Sequence, residues 1–215
     1  MVVLYPIEIY VLTAHKISQE LFAYESLIEQ FLTPGIYNWK KEEISKPKFK
    51  ELLDNKYPAP FLIRFLNKYL LSIVISSVDE KYYPDMITFG YCEENRIYDI
   101  GEDSYDDIKK LIYILYNHFN PLFVRTGAME HYGWPELIEK NTKKINQIHW
   151  MQILSKEIRE NLKIKDLKDV AKICYELEEL SDGGIYLRPM KELAGFGITN
   201  VLTELMNVEF PWYLK

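Results

Sequence analysis

The sequence predicts an α+β fold, a single domain over residues 1–215 whose mostly antiparallel or mixed sheet is flanked by helices. Three observations carry this expectation. Strand-like runs rich in Val, Ile and Tyr alternate with helical stripes, in the order strand, helix, several strands, helix, strand, two helices, strand, helix. A chain of 215 residues suffices for one substantial core. No repeat, low-complexity tract or linker-like shift in composition divides it.

Residues 2–13 alternate loosely and read as a strand, with Pro6 marking an edge or bulge. Ser18 is placed to cap a helix over 19–32, where Leu21, Tyr24, Ile28, Phe31 and Leu32 recur at helical spacing. Thr33-Pro34-Gly35 ends it. Three prolines break up 36–60, which reads as loop with a short helix near 47–54. Residues 61–68 alternate like a strand at Phe61, Ile63 and Phe65, although a helix is also compatible. Tyr69–Val78 and Met86–Cys92 have the β-branched and aromatic content of strands. Glu93-Glu94-Asn95 then turns into a return strand over 96–100.

Ser104 and Asp107 have the spacing of a capping box, ahead of a stripe of Ile108, Leu111, Ile112, Leu115 and Phe119. Asp106 and Asp107 would sit at the positive end of that helix dipole, and Pro121 stops the helix. A short strand follows at 122–125, then a loop over 127–135. Residues 136–147 are polar and fit either a short helix or a loop. Trp150, Ile153, Leu154, Ile158 and Leu162 share one face of a predicted helix. Asp166 is placed to cap a second helix that turns Leu167, Val170, Ala171, Cys174 and Leu177 inward. Asp182-Gly183-Gly184 permits positive φ and leads into a strand at 185–187. A short apolar helix over 199–208 closes the chain, with Phe210 and Trp212 tucked onto the body.

Charge excludes one function class. The net charge of −6 argues against direct nucleic-acid binding, which needs Lys and Arg to displace phosphate counterions. It suits a basic protein partner. The charge is also concentrated. Glu93, Glu94, Asp99, Glu102, Asp103, Asp106 and Asp107 face only Arg96 in the window 93–107, whose net charge equals that of the chain. Such a window is ordinarily a solvated edge. Its functional reading is a patch that meets a basic surface, with Tyr98 and Tyr105 among its aromatic anchors.

Catalytic signatures are lacking. The histidines at 15, 118, 131 and 149 form no metal-binding pair, there is no C-x-x-C, and no P-loop or nucleophile elbow occurs. No metal or cofactor is therefore expected. Glu130, His131 and Trp134 form the one catalytic-looking loop, whose ordinary reading is a surface histidine among aromatics. Cys92 and Cys174 sit in apolar segments and read as buried free thiols. Neither a signal peptide nor an apolar run long enough for a membrane helix is found, so a cytoplasmic location is expected.

Two motifs carry a resemblance. His149-Trp150-Met151 with Leu154-Ser155 following, and Leu180-Ser181-Asp182-Gly183-Gly184-Ile185 before a strand, resemble the immunity protein 52 family of bacterial polymorphic-toxin systems. The N-terminal strand, the helix over 18–32 and Trp39 add a weaker match. Where the family often has Gly before the Trp, this chain has His149. The resemblance implies a protein without enzymatic activity. It would bind a cognate toxin, often a nuclease, delivered by contact-dependent or type VI secretion. It also implies that Trp150 and Gly183-Gly184 serve the fold. Two rival expectations stand beside it: a small enzyme using the Glu130, His131 and Trp134 loop, and an acidic decoy, for example viral, for a nucleic-acid-binding protein.

Overall fold

The structure, a computed structural model, describes residues 7–13, 36–38, 40, 42–45, 47, 48, 51, 61–65, 69–77, 85–91, 102–128, 150–162 and 167–191. These build an α+β fold on one antiparallel sheet. The strands are β1 (Ile7–Thr13), β2 (Ile36–Tyr37), β3 (Phe61–Phe65), β4 (Tyr69–Ser77), β5 (Asp85–Tyr91), β6 (Phe123–Ala128), β7 (Gln152–Leu154), β8 (Glu176–Glu179) and β9 (Ile185–Arg188). The helices are α1 (Glu102–Phe119), α2 (Lys156–Asn161) and α3 (Leu167–Ile173). Strand order is β2-β3-β4-β5-β1-β6-β7-β9-β8, and every neighbouring pair is antiparallel. Among the described residues no helix is long and apolar enough to cross a membrane.

Register sorts the side chains of the β1-β6-β7-β9-β8 half into two layers. Residues paired across strands share a face, and faces alternate along each strand. Leu12, Phe123, Leu154, Ile185 and Leu187 lie in one cluster with Ile158 of α2 and Val170 of α3. The alternate set turns to the opposite face: Ile9, Val11, Val124 and Ile153, all fully buried, and Tyr186. There α1 packs, through its buried stripe of Ile108, Leu111, Ile112, Leu115 and Phe119. That stripe is the one expected from helical spacing.

Helix α1 starts earlier than its sequence suggests. It begins at Glu102, so Ser104 lies within the first turn instead of capping it. Asp106 and Asp107 therefore fall in the second turn and not at the positive dipole end expected of them. At the other end Asn120 takes φ 44° and donates its N–H to Tyr116 O at 3.0 Å, a left-handed cap that Pro121 follows.

The segment from Trp150 corrects the expected helix. Trp150 and Met151 form a bend, and Gln152–Leu154 is a strand paired with β6 and β9. Met151 is pinned to β6, its O accepting from Thr126 N at 2.8 Å and its N–H donating to Thr126 Oγ1 at 3.1 Å. All three β7 residues are buried, because helices cover both faces of the sheet there. That erases the polar–apolar alternation and leaves a 3–4 spacing that imitates a helix. Trp150, Ile153, Leu154, Ile158 and Leu162 are all buried as expected, across three elements. The helix starts only at Lys156, with Ser155 accepting from Ile158 N at 3.4 Å.

Further along, Val170 and Cys174 are buried, but Ala171 is exposed and Leu177 belongs to β8. The Gly-Gly turn is as expected. Leu180 N–H donates to Gly184 O at 2.9 Å and Gly183 N–H to Leu180 O at 3.0 Å, closing a three-residue hairpin loop with Gly183 at φ 89°. β1, β4, β5, β6 and β9 match expected strands to within a few residues, apart from residues 2–6 at the start of the first. Phe61–Phe65 resolves as strand, and the proposed helix near 47–54 is helical at residues 47, 48 and 51. The helix over 19–32, the return strand over 96–100, the segment 136–147, Asp166 and the C-terminal helix over 199–208 lie outside the described residues.

Candidate functional site

The richest side-chain chemistry among the described residues gathers where α1 crosses β9 and the terminal strand β8. Pairing sets it up. Glu176 lies opposite Arg188 and Glu178 opposite Tyr186, so these four side chains turn toward α1. Lys109 reaches down from the helix and pairs with Glu176 and with Glu178, the latter at 2.6 Å. One helical turn on, the Tyr113 hydroxyl donates to Glu178 Oε2 at 2.5 Å. The Lys109 ammonium also sits 4.6 Å from the centre of the Tyr186 ring, which packs at 5.5 Å against Tyr113.

Burial and pairing favour the resting protonation states of Lys109, Glu178, Tyr113 and Tyr186. Partial burial would lower the Lys109 pKa, but the hydrogen bonds and charges of Glu176 and Glu178 outweigh it and raise it. The bond from Lys109, with that from Tyr113, holds the Glu178 carboxyl below its ordinary range. Burial, reinforced by the neighbouring carboxylates, pushes the Tyr113 and Tyr186 hydroxyls upward. The arrangement braces a helix against a sheet edge.

A second cluster lies at the other end of β9. The Arg188 guanidinium stands 4.7 Å from the Tyr105 ring centre, 4.8 Å from that of Tyr175 and 5.5 Å from that of Trp150. Tyr105 meets Trp150 edge-on at 5.1 Å. Arg188 Nη2 donates to Lys191 O, whereas Arg188 Nε and Trp150 Nε1 are buried without an acceptor among the described residues. Tyr175 is the exposed large hydrophobic residue among those described.

The hairpin between β8 and β9 is braced from both sides. Asp182 Oδ1 accepts from Gly184 N at 2.8 Å, and its Oδ2 accepts from the Tyr116 hydroxyl of α1 at 2.7 Å. Arg159 of α2 donates to Gly183 O at 3.0 Å and lies 3.6 Å from Glu179.

The acidic window is placed as follows. Glu102 and Asp103 open α1, Asp106 is exposed and Asp107 half-buried in the second turn. Tyr105 is half-buried with its ring engaged by Trp150 and Arg188. Glu93, Glu94, Tyr98 and Asp99 lie outside the described residues, as do Glu130, His131 and Trp134. No group of three or more His, Cys, Asp or Glu that could hold a metal occurs among the described residues. Sequence reasoning missed Lys109, Tyr113, Glu176, Glu178 and Arg188. The signal available was the alternation Glu176-Leu177-Glu178 ahead of a Gly-Gly turn, which marks a half-buried strand. Compared with protein-family models and with curated proteins, the chain matches none of them.

Proposed function

We propose that this chain is an immunity-type inhibitor that neutralises a cognate basic protein toxin, such as a nuclease, by direct binding through an acidic face. The supporting observation is the continuity of carboxylates across two elements. The window that opens α1 carries Glu102, Asp103 and the exposed Asp106, and α1 lies against β8, which adds Glu176 and Glu178 on that side, whereas Glu179 turns to the opposite face toward Arg159. Lys109 offsets one charge in this group; Arg159 stands near Glu179. The helix and hairpin that present the face are held rigidly by the Lys109–Glu178, Tyr113–Glu178 and Tyr116–Asp182 contacts. A preorganised face of one sign speeds encounter with a partner of the other.

Under this reading the chain acts in the cytoplasm of a toxin-producing bacterium, as the resemblance to the immunity protein 52 family implies. It catalyses nothing and needs no metal or cofactor. The test is reversal of Glu102, Asp103, Asp106 and Asp107 to Lys, measured against the product of whichever reading frame lies immediately upstream or downstream in the source genome. Association should slow markedly and lose its salt dependence, with a smaller change in dissociation. Unchanged kinetics across salt would remove the acidic face from the account.

A further inference from the structure

We propose that Arg188 and Trp150 form a binding site for a small carboxylate, closed over by the ring of Tyr175. Arg188 is only 6% exposed, yet no carboxylate stands within ion-pair distance of it among the described residues. A buried charge is normally paired, because leaving water is costly without an opposite charge or a full set of hydrogen bonds. Glu176, its cross-strand neighbour, is instead drawn to Lys109. Three aromatic faces and one backbone carbonyl stabilise the guanidinium, but Nε keeps a hydrogen with nowhere to go. The fully buried Trp150 indole N–H, in the same cluster, is also without an acceptor among the described residues. Two buried donors left open in one place, one of them cationic, call for an anionic acceptor.

The enclosure selects the ligand. The rings of Tyr105, Trp150 and Tyr175 stand around the guanidinium, and between ring faces a planar two-oxygen anion would lie flat where a tetrahedral one would press oxygens onto faces that offer no hydrogen bond. Entry is by rotation of one side chain. Tyr175 is 53% exposed while covering Arg188, and its backbone is fixed by its N–H bond to Pro189 O at 3.0 Å.

The test reads the Trp150 indole N–H directly by proton–nitrogen NMR of the full chain, assigned by Trp150→Phe among the four tryptophans. Sodium acetate is titrated against sodium chloride at constant ionic strength, with acetamide and inorganic phosphate as controls. A downfield, saturable shift of this one resonance with acetate, absent with acetamide and phosphate, is expected. Arg188→Gln should abolish it. If that variant does not fold, the wild-type titrations alone decide. A short peptide acid and its amide separate the two sources of a carboxylate: a shift with the peptide acid alone assigns the site to a chain-borne carboxylate instead of a free one. No shift with either carboxylate, or an equal shift with phosphate or acetamide, overturns the proposal.

Discussion

Gly184 occupies a place that admits no side chain. A Cβ there would lie 2.7 Å from the Tyr116 hydroxyl and 2.8 Å from Leu154 O, one of them backbone that cannot yield. Gly184→Ala should therefore cost roughly 1–3 kcal/mol, the range of core overpacking, as read by denaturant unfolding. Gly183 fails for a different reason, since its φ of 89° suits only glycine; Gly183→Ala should cost ~1–2 kcal/mol in the same assay. Trp150 is fully buried, and Trp150→Ala should lose about 3–5 kcal/mol, with broadened or partial unfolding at the low end of stability. Cys174 is a buried thiol pushed up to about 12 by desolvation. Its alkylation at neutral pH, followed by mass spectrometry of the Cys174 peptide, should proceed only as fast as the protein opens; rapid labelling of the folded chain would contradict its placement.

At the scale of elements, the contact of α1 with β8 governs the response to pH. Glu178 is held below the ordinary carboxylate range by Lys109 and Tyr113. Its contribution is therefore present above the unfolded carboxylate pKa and is lost as pH falls through the folded value. Lys109 is raised, so its contribution is present below the unfolded lysine value and is lost as pH climbs through the folded one. Glu178→Gln should flatten the acid limb of a Tm-versus-pH curve measured from about pH 6 to 3, where carboxylates titrate. A curve parallel to wild type would show that the network is decorative. Elements were unequally legible from sequence. α1 declared itself because one side alone is buried, and β4 and β5 because β-branched residues crowd them. β7 did not, since strands covered on both faces lose their alternation. The alternation of β8 was there to read, but its contact with α1 was not, because Lys109 and Glu176 are 67 residues apart and such pairing has no local signature.

For the whole molecule, the α+β class followed from the order of patterns, which left the sheet antiparallel or mixed; every described pair is antiparallel. The full strand order did not, since β1 sits between β5 and β6 and β9 between β7 and β8. Chain order cannot announce such insertions. Of the acidic face, the part on 102–107 was legible by counting charges in a row, and the part on β8 emerges only when the hairpin folds beside α1. The account's central claim is that this composite face binds a basic protein. The measurement that tests it most directly is the association rate of the full chain with the product of the adjoining reading frame, across ionic strength. Wild type should associate fast at low salt and slow steeply as salt rises, and the variant with Glu102, Asp103, Asp106 and Asp107 changed to Lys should be slow throughout. Equal rates for both proteins at every salt concentration, or no binding at all, would contradict it.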